Sequence, residues 1–137
     1  MGTFMERAPK EIAGGLPTHK AGYSGGPKVP DLARPVDPDR TDRALRYAKV
    51  LAATKLLAVP GSFGAKHQDA MDEAGLYVRG YAEDLLKELR AAEGVRRDTA
   101  ERQFCLVLEL TGLLFDDSEA EFLRRRGKAA GAQGVAA

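Results

Sequence analysis

The residues whose chemistry could make a site are two histidines, one cysteine, a run of arginines and four tyrosines. His67 lies close to Asp69, Asp72 and Glu73, types that bind metals or relay protons. The spacing does not assemble them. The Glu-x-x-His pairs of helical di-metal bundles are absent, so His67 reads as a surface residue. His19 is far from it along the chain. Cys105 stands between Phe104 and Leu106, and a thiol in apolar surroundings is a raised-pKa, inert core filler. A Cys–His dyad has no support. Gly61-Ser62-Phe63-Gly64 lacks the Gly-Lys-Ser/Thr ending of a phosphate loop and reads as a helix–helix turn. These residues build no catalytic constellation, metal set or cofactor site, and the chain reads as non-enzymatic.

Arginine is the one concentrated chemistry. Arg124, Arg125 and Arg126 are consecutive, with Arg96 and Arg97 upstream, and phosphate contacts would suit the triplet. Yet residues 95–126 hold six basic and seven acidic side chains, a local balance of −1, where a nucleic-acid domain carries a basic footprint. Helix-end charges and salt bridges explain the triplet better. Tyr77 and Tyr81 are four apart and share a helix face. They suit either an interface or a core edge with wet hydroxyls.

The elements that must position these residues divide at Val36. Residues 1–38 contain six of the seven prolines and six of the fifteen glycines. Such a backbone is costly to order alone. Single apolar residues punctuate it: Phe4, Met5, Ile12, Leu16, Tyr23, Val29 and Leu32. Residues 1–36 therefore read as an extended arm whose anchors lie on another surface. Five basic and three acidic residues give the arm +2, enough for weak electrostatic docking.

Residues 37–127 read as an all-α bundle of three main helices and one short C-terminal helix. The first opens at Asp37-Pro38, a cap followed by a proline at the first helical position, and runs to Val59 before Pro60-Gly61. Leu45, Ala48, Ala52, Leu56 and Val59 form its stripe. The second covers about 65–93, with the seam Met71, Gly75, Val78, Ala82, Leu85 and Leu89 and a break expected near Gly75. Glu73, Glu83, Asp84, Lys87 and Arg90 form its solvated face, with Glu83 paired to Lys87. The third starts at Asp98, with Glu101 completing a capping box, and is apolar on nearly every side through Phe115, so it is central. Ser118 and Glu121 open the short helix, which Gly127 ends. Residues 128–137 read as a loose Ala/Gly-rich tail.

The 137 residues carry 44% hydrophobic and 30% charged side chains with a net charge of +1, the composition of a globular domain. No apolar run approaches the ~20 residues of a membrane span, which argues against a membrane partner. Charged residues interrupt the first dozen positions, so no secretory signal is read. Glu6 departs from the Ser or Thr of a myristoylation motif. With one cysteine, the expected location is the cytoplasm or a particle assembled there. The expected function is a structural or interaction subunit of a larger assembly, its partners being protein subunits or a second copy. The alternative is a small nucleic-acid-associated regulator using Arg124–Arg126 and the basic arm.

Overall fold

Short spacings between buried apolar positions recur along most of the chain, and helices result. The structure, a computed structural model, describes residues 2–20, 28–55 and 62–131. Its elements are α1 (Gly2–Gly14), β1 (Thr18–Lys20), β2 (Lys28–Pro30), α2 (Pro38–Thr54), α3 (Ser62–Ala91), α4 (Gly94–Leu114) and α5 (Asp117–Ala129). The described fold is thus mostly helical, with one two-stranded antiparallel sheet pairing Thr18 with Pro30 and Lys20 with Lys28. Helix α3 packs against α1 and α4, α1 also against α2, and α4 against α2 and α5.

The N-terminal segment departs most from expectation. It is not extended: residues 2–14 form a helix with Pro9 inside it. A proline there removes one backbone hydrogen bond and costs about 3 kcal/mol. Met5, Ala8, Ile12 and Leu16 recur at spacings of three and four and are all buried within this chain. Burying a large apolar side chain returns about 1.5–3 kcal/mol, so together the stripe outweighs the proline. Leu32 is also buried, Val29 is half-buried on β2, and Phe4 stacks on Tyr47 of α2 with centroids 5.0 Å apart. Six of the seven anchors therefore meet the chain's own surface; Tyr23 lies outside the described residues. Gly15 permits the crossing of this segment over α2, since a Cβ there would stand 2.7 Å from Ala44 Cβ.

Two tyrosines of α3 hold the turn that follows. Tyr77 donates its hydroxyl hydrogen to the Leu16 carbonyl oxygen at 2.8 Å, and Tyr81 donates to that of Pro17 at 3.1 Å. The rings stack with centroids 6.3 Å apart. Their hydroxyls are thus bonded to the backbone, not left to water. Burial pushes the Tyr81 phenol far above its ordinary value and raises that of Tyr77.

The other helices follow the sequence with local shifts. Asp37 caps α2 as expected, its Oδ1 accepting from the backbone N–H of Asp39 and Arg40. The buried row on α2 is Ala44, Ala48 and Leu51; the expected end of this helix, 56–61, lies outside the described residues. Helix α3 passes Gly75 unbroken, and its whole seam is buried. Packing of that seam offsets the roughly 1 kcal/mol that each interior glycine costs. Helix α4 starts a turn before Asp98, because Gly94 at φ +62° reverses the chain early. Phe104, Leu106, Val107, Leu110 and Leu114 make α4 the central helix.

Helix α5 is capped by Asp116, two residues before Ser118, through Oδ1 accepting from the Glu119 N–H at 2.7 Å. It continues through Gly127 to Ala129. Gly127 is no stop signal. It is buried under the Phe104 ring, where a Cβ would overlap the ring carbons. Gly80, by contrast, has open space where a Cβ would sit.

Gly80→Ala should stabilise the protein by about 0.5–1 kcal/mol, and Gly127→Ala should destabilise it by about 1–3 kcal/mol through overpacking. Urea denaturation midpoints at unchanged m-value check both. Tyr77→Phe and Tyr81→Phe should each lose about 0.5–1.5 kcal/mol and speed amide exchange in α1 more than in α4. Equal acceleration in both helices would show that the hydroxyls do not hold the N-terminal segment.

Candidate functional site

The α3–α5 face gathers surface features that the rest of the described molecule keeps apart. Asp116 starts α5 at an angle fixed by its cap, and Leu123 and Gly127 turn one side of α5 into the core. The flank beside that buried side meets α3 through two ion pairs. Arg126 Nη1 and Nη2 donate to Glu83 Oε1 and Oε2 at 2.7 and 2.8 Å, a bidentate fork. About one helical turn earlier on α3 and two turns earlier on α5, Arg79 Nη2 donates to both oxygens of Glu119 at 2.8 and 3.0 Å. The Arg79 guanidinium carbon also lies 3.9 Å from the centre of the Phe115 ring. That ring rests on Gly75, where a Cβ would stand 2.7 Å from Phe115 Cζ.

Two hollows adjoin the Arg79–Glu119 bridge. One, of about 640 Å³, is floored by Ala82 and Leu123 and edged by Phe122. The other, of about 370 Å³, lies toward the start of α3 and is edged by Leu76 and floored by Leu114 and Phe115. Phe122 is 60% exposed and Leu76 77% exposed. Each hollow therefore has a large apolar side chain at its rim.

The sequence-derived candidates are distributed as follows. Arg124 donates to Glu121 at 2.9 and 2.6 Å, Arg125 approaches Glu121 at 3.9 Å, and Arg126 holds Glu83. Arg96 and Arg97 reach Glu88 and Glu101, each at 3.3 Å. All five arginines thus have carboxylate partners. Hydrogen bonds from Arg126 hold the Glu83 carboxyl below its ordinary range, and those from Arg124 do the same for Glu121. Glu83 pairs across helices with Arg126 rather than with Lys87 on its own helix.

His67 is not on the surface. It is 3% exposed, and its Nε2–H donates to the Leu51 carbonyl oxygen at 2.8 Å, tying α3 to α2. Asp69, Asp72 and Glu73 stay exposed, and Asp72 accepts from Gln68. Among the described residues no group of three or more His, Cys, Asp or Glu is placed to hold a metal ion. Cys105 is half-buried on α4, and burial, with Glu109 and Glu101 nearby, pushes its thiol up. Little thiolate forms at neutral pH, so it is a poor nucleophile. No helix of the described residues is long and apolar enough to cross a membrane.

Sequence reasoning passed over Phe122 and Leu76. Phe122 was legible as an aromatic residue between charges in Glu121-Phe122-Leu123-Arg124, where one helix face cannot bury both apolar neighbours. Compared with known proteins, the chain matches no family model, no curated protein and no solved structure.

The Glu83–Arg126 pair sets a pH dependence. The folded carboxyl titrates below its ordinary 4.5, so its contribution is complete above that value and disappears as pH falls through the lowered one. Both side chains are about half exposed, 52% and 40%. The contribution at neutral pH should therefore be at most about 1 kcal/mol, and less in high salt. Thermal melts of wild type and Glu83→Gln should differ at pH 7 and converge as the solution is made more acidic than 4.5. A gap that widens in acid would contradict the pairing.

Proposed function

We propose that this chain is a non-enzymatic structural or interaction subunit of a larger protein assembly, docking through its helical body. One observation carries the reading. Leu76 and Phe122 stand largely exposed at the rims of two adjacent hollows that share the Arg79–Glu119 bridge. A lone exposed apolar residue is ordinary on a soluble protein. Two at adjoining hollows supply both knobs and holes, the pattern of anchor residues ringed by polar contacts. The partner is another protein chain presenting apolar side chains of its own. A cytoplasmic location, or one inside a particle assembled there, fits this role.

The arm-lacing part of the expectation is not retained, because Met5, Ile12, Leu16 and Leu32 are buried within the chain itself. The nucleic-acid alternative through Arg124, Arg125 and Arg126 has weaker support, since Glu121 and Glu83 already meet these guanidinium groups.

A photo-crosslinking side chain at position 122 should give one discrete protein adduct in cells expressing the chain at native level. The same probe at exposed Arg46 on α2 should give none. Phe122→Glu and Leu76→Glu should weaken the purified complex by about 2 kcal/mol or more while leaving the unfolding midpoint within about 0.5 kcal/mol. Equal adducts at 122 and 46, or full-strength binding by both variants, would overturn the docking face.

A further inference from the structure

Helix α5 and its cap carry their charges in two blocks. Residues 116–121 hold Asp116, Asp117, Glu119 and Glu121 and no basic side chain. Residues 124–128 hold Arg124, Arg125, Arg126 and Lys128 and no acidic one. Phe122 and Leu123 divide the blocks, near the middle of the helix. Leu123 is buried, whereas Phe122 stands 60% exposed. The helix dipole accounts for acid in the first turn and base in the last. Its influence fades within those turns, so it does not account for Glu121, Arg124 and Arg125.

Five of these charges are taken up inside the chain. Asp116 caps the helix, Glu119 holds Arg79, Arg124 holds Glu121, and Arg126 holds Glu83. Three are left over. Asp117 and Lys128 are exposed and form no ion pair among the described residues. Arg125, 69% exposed, comes no nearer than 3.9 Å to Glu121. The outer row of α5 is Ser118, Phe122, Arg125 and Ala129, all exposed and spaced four, three and four apart. That is the spacing of a seam against another helix. Beside Phe122 lies the hollow of about 640 Å³ floored by Ala82 and Leu123.

A knob next to a hole on one face is complementary to itself. A two-fold rotation about an axis between them puts each knob into the other copy's hole. When that axis stands across the helix, the same rotation runs the two helices antiparallel and lays the acidic block of one along the basic block of the other. We propose that the occupant of this face is a second copy of the chain, bound about a two-fold axis beside Phe122. The inference rests on the docking reading above and names its partner. Each Phe122 ring enters the hollow of the other copy. Asp117 of each copy meets Lys128 of the other, and Arg125 of each faces the other's acidic block. A parallel pairing would set like charges against like, which is unfavourable. An unrelated partner does not require the charge to change sign at the exposed ring; a two-fold axis through that place does.

Sedimentation velocity on the purified full chain, from about 1 to about 100 μM, tests the assignment, because an interface of modest area shows in that range. The sedimenting mass should rise from one chain to two. Phe122→Glu should weaken self-association by about tenfold or more at unchanged helix content by circular dichroism. Asp117→Lys and Lys128→Asp each oppose like charges twice in the pair, and each alone should weaken it by about fivefold or more. Mixed in equal amounts, the two variants should associate with one another about as well as wild type, since every contact between them is again opposite in sign. A single-chain species at every concentration, or self-association untouched by Phe122→Glu, would overturn the proposal. So would charge variants as competent alone as wild type, or a mixture no tighter than its parts. The probe at position 122 in cells separates this from the docking reading. An adduct of twice the chain mass supports the second copy. An adduct with a different protein keeps the docking face and overturns the second copy, and no adduct at all overturns both.

Discussion

With no side chain at position 127, the backbone of α5 lies directly against the Phe104 ring. Phe104 is fully buried on the central helix, so the distance between α4 and α5 is set by that contact. Interiors pack to crystal-like density, and a ring this large leaves a void unless a neighbour closes on it. The same device operates where Phe115 meets Gly75. There it reaches the surface, because Phe115 carries the Arg79 guanidinium on its face and Arg79 holds Glu119 of α5. Two glycines and two phenylalanines therefore place α5 against the body, and every feature of the α3–α5 face inherits that placement.

At the opposite end, order has to overcome entropy. Residues 1–38 carry most of the prolines and many of the glycines, and fixing each residue costs on the order of 1–2 kcal/mol. No helix of 13 residues containing a proline is stable alone in water. Helix α1 exists because α2 and α3 cover its apolar stripe, and the Tyr77 and Tyr81 hydroxyls hold the backbone where it leaves. The hydroxyl bonds are few, but they fall at the one place where the helix ladder has ended and the short strand has not begun.

What was legible in the sequence follows the range of the interaction. The Asp37-Pro38 start, the α3 seam and the all-round apolar character of α4 are local patterns, and they appear as read. Composition misled at α1, where proline and glycine content outweighed a visible Met5–Ala8–Ile12 spacing that α2 and α3 reward. Ser118-Glu121 and Asp116-Glu119 offer equally good caps two residues apart, and only the packing of Leu123 and Gly127 chooses between them. His67 turned inward because a carbonyl on α2, sixteen residues back, accepts its ring hydrogen. Pairs such as Arg126–Glu83 and Arg79–Glu119 join residues more than thirty-five apart, where side-chain identity alone names no partner among the other carboxylates. The candidate face was hidden for the same reason: Leu76 and Phe122 become neighbours of one bridge only once α5 has folded back on α3.

The two bridges across that face gain their importance from position more than from strength. Exposed ion pairs return little net energy, since solvent screens them and two long side chains lose freedom. Bidentate geometry changes what they do rather than how much they return. The Arg126–Glu83 fork and the Arg79 contact to both Glu119 oxygens restrain α5 at two points along its length, so it cannot rotate about its own axis without breaking one of them. Phe122 lies between those points in sequence and is held with its ring outward. An anchor already fixed in place loses less entropy when a partner closes on it. Charges spent inside the face also leave it close to neutral, which suits a partner that brings apolar side chains and disfavours one recognised through its phosphates.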